Sequence, residues 1–173
     1  MTSRVILTAI GNDRPGLTQA LADAVYRTGG NWLESHLSHL GSHYVGSVLV
    51  DIDETSVPAL EEAVRNVGAS GLHVSIVPAV DEPAHSHTPG APLTIELVGQ
   101  DRPGIVREVS SALASLGVNI EDLMTMTENG AWSGERLFRA HARVSLPSGV
   151  SSDQVSAALE AISGEIMVDF SVG

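Results

Sequence analysis

The stretch that decides the fold is GNDRPGLTQALADAVYRTGGN, residues 11–31, because the chain carries it twice. Shifted by 88 residues, it aligns without a gap on GQDRPGIVREVSSALASLGVN, residues 99–119. Eight of the 21 positions are identical, where chance would give roughly one or two. Each copy lies in a segment large enough to bury a core of its own. The repeat therefore predicts two similar domains.

A proline-rich segment separates the two copies. Residues 78–92 contain four prolines and show no apolar periodicity, which is typical of a linker on the surface. We therefore predict a first domain over residues 1–80, a linker over residues 81–91 and a second domain over residues 92–173.

The beginning of each copy has the same order of elements. A strand with apolar residues at alternate positions, Val5–Ala9 in the first copy, runs into the DRPG turn and then into a helix. Pro15 and Pro103 are expected in the first turn of their helices, where the missing N–H is not needed. Gly29 and Gly117 are expected to end the helices in a left-handed conformation.

A hairpin, a second helix and a last strand follow in each copy. The predicted hairpin strands are Trp32–Leu40 with Tyr44–Ile52, and Ile120–Thr127 with Leu137–Leu146 across a longer loop, Glu128–Gly134. Ser151 and Gln154 have the spacing of a capping box. The last strands are Leu72–Val77 and Glu165–Val172. The order βαββαβ predicts an α+β fold, with two ferredoxin-like domains of four antiparallel strands and two helices on one face.

Composition excludes several classes of function. The chain has 173 residues, 21 acidic against 9 basic, and a formal net charge of −12. All basic residues are arginines, and six aromatic residues in total are too few for a base-stacking platform, so direct nucleic-acid binding is disfavoured. The absence of cysteine excludes disulfides and thiolate metal sites and favours a cytoplasmic protein. The apolar run Val5–Ile10 is too short to span a membrane.

No catalytic or metal-binding pattern stands out, and no cofactor is predicted. The sequence has no nucleophile elbow, phosphate loop or HExxH motif. His36 and His39 would face opposite sides of a strand, and His85 and His87 lie in the linker, so neither pair predicts a metal site. The alternative that stays open is a small ferredoxin-like hydrolase or isomerase, since Arg14 with Asn12 could clamp an anion.

The duplicated DRPG turn is the best candidate for a binding site. The amides of Gly16 and Leu17, like those of Gly104 and Ile105, are donors at a helix start and suit a carboxylate. Asn31 and Asn119 begin what we expect to be the neighbouring strand, where an amide side chain could hold part of an amino acid. The alternative is structural, with Asp13 and Asp101 as capping or turn residues in a simple corner.

These motifs resemble a known family. The G-x-D-R-P-G-[IL] turn, the helix ending at glycine and the N-x-x-[DE] after it, Asn31–Glu34 and Asn119–Asp122, resemble ACT domains. Asn31–Gly41 and Leu137–Ala140 are similar to tandem-ACT proteins grouped with the glycine cleavage system transcriptional repressor.

The resemblance implies a regulatory protein without catalytic residues. ACT domains generally pair side by side and bind small effectors, commonly amino acids, through the first loop and the start of the second strand. It also implies action through a DNA-binding protein partner, and homo-oligomers are a further expectation. A ligand-independent interaction module is the other alternative. By position, the candidate ligand-binding residues are Asn12, Asp13, Gly16, Leu17, Asn31, Gln100, Asp101, Gly104, Ile105 and Asn119.

Overall fold

A computed structural model describes residues 1–69, 71–79, 90–129, 136–162 and 166–171. The chain divides into two compact units, Met1–Ala84 and His85–Gly173. Most of the predicted linker, residues 81–89, and most of the predicted hairpin loop, residues 130–134, lie outside the described residues. Within the described part of the chain, no helix is long and apolar enough to cross a membrane.

The described residues of each unit form four strands and two α-helices in the order βαββαβ, as predicted. The first unit has β1 (Thr2–Asn12), α1 (Leu17–Arg27), β2 (Asn31–Leu40), β3 (His43–Asp53), α2 (Val57–Gly68) and β4 (Leu72–Pro78). The second has β5 (Ala91–Gln100), α3 (Ile105–Ser115), β6 (Asn119–Asn129), β7 (Arg136–Leu146), α4 (Ser152–Glu160) and β8 (Met167–Ser171).

The strands of each unit form one antiparallel sheet. The order is β2-β3-β1-β4 in the first unit and β6-β7-β5-β8 in the second. In the first unit, β1 pairs with β3 from Thr2 opposite Asp53 to Asn12 opposite His43. The α+β class and the ferredoxin-like topology are therefore confirmed.

The core of each unit lies between the sheet and its helices. Side chains at alternate positions of the central strand β1, among them Val5 and Leu7, are almost completely buried. They pack with one stripe of each helix, including Leu21 on α1 and Leu60 on α2. Burial of each such side chain contributes about 1.5–3 kcal/mol. The second unit repeats the arrangement around Leu97, with Leu113 and Leu159 from its helices.

The start of the first helix differs from the prediction. Pro15 and Pro103 do not lie in the first helical turn, because α1 begins at Leu17 and α3 at Ile105. The residue before each helix is a glycine in a left-handed conformation, with φ of 93° at Gly16 and 90° at Gly104. That conformation turns the chain into the helix, and the proline lies just outside it.

Most of the other element ends agree with the prediction. Gly29 and Gly117 have φ of 77° and 69°, and Ser151 with Gln154 forms the capping box. β6 is longer than expected and extends to Asn129, because Glu128 and Asn129 still pair with β7. The last strand starts at Met167 in the described structure, and Glu165, its predicted start, lies outside the described residues.

The close approach of β2 to β3 generates the first testable prediction. A Cβ added at Gly46 would overlap the carbonyl oxygen of His36 and lie 2.8 Å from the Cα of Leu37. Because both are backbone atoms of the paired strand, Gly46→Ala should destabilise the first unit by about 1–3 kcal/mol and lower its unfolding midpoint by at least about 5 °C.

The matched control is Gly68→Ala, at the end of α2. A Cβ there meets no described atom within 4 Å, and alanine is the better helix former. The midpoint should stay the same or rise in a calorimetric scan. Equal effects of the two substitutions would contradict the contact at Gly46.

Candidate functional site

In the first unit, the turn that follows β1 exposes backbone N–H groups that can donate hydrogen bonds. β1 ends at Asn12, and Asn12, Asp13 and Gly16 are all exposed. No side chain among the described residues caps α1, and its first intrahelical hydrogen bond runs from the amide of Ala20 to the carbonyl of Gly16, at 2.9 Å. The helix itself therefore leaves the amides of Leu17 and Thr18 without a partner. Such amides, together with the helix dipole, attract an anion.

Asp13 places a carboxylate at the same turn. Its Oδ2 lies 3.9 Å from Nε2 of His39, and the Asp13 side chain is 44% exposed. A histidine is charged only when it is protonated, so this neighbour does not permanently neutralise Asp13. Within a few residues, the turn therefore combines a carboxylate, which attracts a cation, with helix-start amides, which attract an anion.

Polar groups also line the helix side of this turn. The hydroxyls of Thr18 and Tyr44 are hydrogen-bonded at 2.9 Å. Nδ1 of His43, which lies opposite Asn12 in the sheet, donates to the carbonyl of Gly41 at 2.9 Å. The surroundings of the turn are therefore polar on both sides.

In the second unit, side chains of the same domain contact the equivalent turn. Arg136 approaches Asp101, with Nε 3.7 Å from Oδ2, and the Asp101 side chain is only 26% exposed. The amide of Asp101 donates to the carbonyl of Arg136 at 2.8 Å, as the amide of Asp13 does to the carbonyl of Ser42 at 3.5 Å. The amide of Ile105 also donates to the carbonyl of Arg102 at 3.4 Å. Because arginine is always charged, Asp101 is less available to an added cation than Asp13.

A bidentate ion pair between Arg102 and Glu108 also occupies the second turn. Arg102 donates from Nη1 to Oε1 of Glu108 at 2.9 Å and from Nη2 to Oε2 at 2.5 Å. This hydrogen-bonded pair lowers the pKa of the Glu108 carboxyl and raises the pKa of Arg102. In the first unit, Ala20 occupies the position of Glu108, and Arg14 has no ion-pair partner among the described residues.

The candidate residues fall into two groups by position. Asn12, Asp13 and Gly16 come together at one turn, as do Gln100, Asp101 and Gly104 at the other. The side chains of Leu17 and Ile105 are 3% and 4% exposed and belong to the cores, so only their amides could serve a ligand, and the amide of Ile105 already donates to the carbonyl of Arg102. No side chain in the described structure caps either helix start, so Asp13 and Asp101 are not caps.

Asn31 and Asn119 lie at the other end of their sheets. Asn31 begins β2, which is separated from β1 by β3, so the expectation of a neighbouring strand is wrong. Asn31 pairs with Asp51, whereas Asn12 pairs with His43 at the opposite end of β3. Since a strand rises about 3.3 Å per residue, the eight positions from His43 to Asp51 span roughly 26 Å. One small ligand cannot contact Asn31 and the turn of the same unit.

Several neighbours of the turns were not predicted from the sequence. His39, Tyr44, Glu108 and Arg136 reach the turns from other elements. Three of them, His39, Tyr44 and Arg136, lie on the hairpins. They could be identified only from the exact register of the hairpins, which the sequence does not specify. The described residues contain no cluster of three or more His, Cys, Asp or Glu side chains that could hold a metal ion.

Comparison with family models assigns both repeats. Residues 3–76 match one ACT domain model and residues 93–142 match another. The chain belongs to the ACT-domain family. Each match covers one of the duplicated turns, so both candidate turns are the first loops of ACT domains.

Related proteins agree with this assignment over the full length. The chain is 22% identical over 170 residues to the glycine cleavage system transcriptional repressor of Escherichia coli, covering 97% of this chain and 88% of that protein. A solved structure of an unknown protein from Galdieria sulphuraria has a TM-score of 0.82 and 25% identity, covering 98% of both chains. A putative glycine cleavage system transcriptional repressor has a TM-score of 0.72 and 18% identity over 100% of this chain and 99% of its own, which supports the fold. The chain is therefore a tandem ACT-domain protein similar to a regulatory protein.

The ion pair in the second ACT domain generates a pH prediction. The depressed pKa of Glu108 contributes stability that is present above its unfolded pKa and is lost as the pH falls below about 4. Glu108→Gln should therefore lower the unfolding midpoint at pH 7 and have little effect at pH 3, in thermal scans across that range.

Glu61→Gln on α2 is the control. No ion pair joins Glu61 to any other described residue, and the side chain is exposed, so the same scans should show no change in pH dependence. A Glu108→Gln effect that is the same at every pH would contradict an ionised pair.

Proposed function

We propose that this protein is a non-catalytic, amino-acid-responsive adaptor that regulates transcription through a protein partner. The observation that supports it is the first turn of the first ACT domain. Asp13 offers a carboxylate, and the amides of Gly16 and Leu17 offer donors, with only two residues between Asp13 and Gly16. An amino acid carries an ammonium and a carboxylate on one carbon, so it needs both kinds of group close together.

The first ACT domain is the better site of the two. A ligand at the second turn would have to displace Arg136 from Asp101, and the hydrogen-bonded pair of Arg102 with Glu108 lies across the helix start. Phe138, opposite Gly99, and Val106 replace the hydrogen-bonded pair Tyr44 and Thr18, so the second turn is also less polar. We therefore assign effector binding to Asn12, Asp13, Gly16 and the amide of Leu17.

Asn31 and Asn119 have a different role in this proposal. Because each lies at the end of the sheet opposite its own turn, it cannot contact a small ligand that this turn holds. An asparagine there can both donate and accept a hydrogen bond, so it suits either end of an amino acid.

The adaptor half of the proposal rests on charge and on the family. A net charge of −12 disfavours direct binding to DNA, so it favours an effect on transcription through an intermediary. The Escherichia coli relative is a transcriptional repressor by name. A protein partner that binds DNA would reconcile the two observations.

The sensing half is tested by thermal unfolding in the presence of each amino acid. A ligand that binds the folded state only, at 100 times its dissociation constant, stabilises it by about 2.7 kcal/mol. We expect at least one amino acid to raise the midpoint by several degrees. Asp13→Asn and Gly16→Trp should abolish that rise.

Asp101→Asn and Gly104→Trp are the matched variants of the second domain. Gly16 and Gly104 share a left-handed φ, so tryptophan introduces similar backbone strain at either position. The rise should survive these variants. If no amino acid raises the midpoint, the sensing proposal is wrong, and if only the second pair abolishes the rise, the effector binds at the second turn.

A further inference from the structure

The helix face of the first ACT domain carries an open groove between α1 and α2. Its volume is about 510 Å³, and it is flanked by Arg14 before α1 and Arg27 at the end of α1. Three alanines also line the groove, Ala20, Ala24 and Ala63. Neither arginine has an ion-pair partner among the described residues.

The charge of this groove is unusual for the chain. Residues 1–80 carry eight acidic residues and four arginines, and two of those four line the groove. Arg27 lies at the negative end of the α1 dipole, which stabilises it, but Arg14 lies before the positive end, which does not. Among the described residues, Arg14 therefore has neither an ion-pair partner nor a favourable helix dipole, and one carboxylate, that of Asp23, lines the groove with it.

The second ACT domain shows what such a cation attracts. Arg102 corresponds to Arg14, and it is bound by Glu108, at the position of Ala20. Arg27 is replaced by Ser115. The second domain thus provides its own carboxylate and lacks the second arginine, whereas the groove of the first leaves both arginines available.

We propose that this groove docks an acidic helical segment of a partner protein. α1 has 11 residues, so its length is about 16 Å and the arginines at its ends are too far apart for one small ligand. A helix fits a groove between two helices, and the small alanine side chains that line this groove permit close approach. Acidic residues about three turns apart on one face would meet Arg14 and Arg27.

Two other side chains refine the chemistry of the partner. Asp23 lies in the groove between the arginines and repels an acidic residue there, so the middle of the docking face must be neutral or basic. Asn66 on α2 can hydrogen-bond to polar groups of the segment. This inference rests on the adaptor half of the proposed function and is independent of effector binding.

The experiment measures binding of a defined peptide by fluorescence anisotropy at 0.15 M salt. The probe is a labelled alanine-based peptide of 16 residues, with two glutamates 11 positions apart on one face. A second peptide has glutamine at both positions. We expect the glutamate peptide to bind at least tenfold more tightly than the glutamine peptide.

Ala20→Glu is the decisive variant, because it copies the arrangement of the second domain. The introduced carboxylate would have the same spacing to Arg14 that Glu108 has to Arg102, so it should occupy Arg14 without unfolding the helix. Binding of the glutamate peptide should weaken at least tenfold, with an unchanged or higher unfolding midpoint. Arg14→Gln with Arg27→Gln should have the same effect on binding.

Arg65→Gln is the matched control, since Arg65 is an exposed arginine on α2 that does not line the groove. It should change binding less than twofold. The proposal is overturned if the glutamate peptide does not bind, if the glutamine peptide binds equally, or if Ala20→Glu has no effect. Loss of self-association in Ala20→Glu, measured by sedimentation, would instead assign the groove to a second copy. If the glutamate peptide does not bind but an amino acid still raises the unfolding midpoint, only the docking inference has failed.

Discussion

The left-handed glycine between the central strand and the first helix is the constraint on which each unit depends. Gly16 and Gly104 have nearly equal φ, a conformation that costs any other residue backbone strain. They let the chain leave the middle of the sheet and start a helix across one face within four residues. The same reversal brings the buried stripe of α1 onto the buried face of β1. It also leaves helix-start amides at the surface, so the fold creates the candidate site as a by-product of its topology.

The two ACT domains share this geometry but differ in its electrostatics. Each turn has an Asp-Arg-Pro-Gly sequence, yet Asp13 lies beside a histidine and Asp101 beside an arginine. The arginine of the second turn is bound by a glutamate that the first domain lacks. Both turns therefore have the same backbone conformation. The residue six positions after the arginine, Ala20 or Glu108, differs and determines whether that arginine is available to a ligand. The two turns therefore provide an internal comparison, because the second has a glutamate that binds its arginine and the first has the same backbone without that glutamate.

The sequence was sufficient for the order of elements but insufficient for contacts across them. Apolar periodicity and the glycines at helix ends identify the elements of both repeats, because these signals are local. The proline was misplaced because Pro15 fits the first helical turn as well as the residue before the cap, and only the φ of Gly16 distinguishes them. The partners of Asp13 and Asp101 depend on hairpin register, where a shift of one residue exchanges the faces of a strand. The separation of Asn31 from Asn12 follows from the strand order, which has β3 between β2 and β1.

The candidate turn and the helix groove meet at one residue, and this limits how they could influence each other. Asp13 and Gly16 belong to the turn, while Arg14, between them, lines the groove. An amino acid with an uncharged side chain has no net charge at neutral pH, so its binding changes the potential around Arg14 only through a dipole, which falls off steeply with distance. Coupling between the effector and the partner would therefore depend mainly on the geometry of the four-residue turn, because this turn contains residues of both sites. Because coupling between two binding sites is reciprocal, the partner would alter effector affinity by the same factor. The docking of an acidic segment, in contrast, is governed by charge and weakens as salt is added.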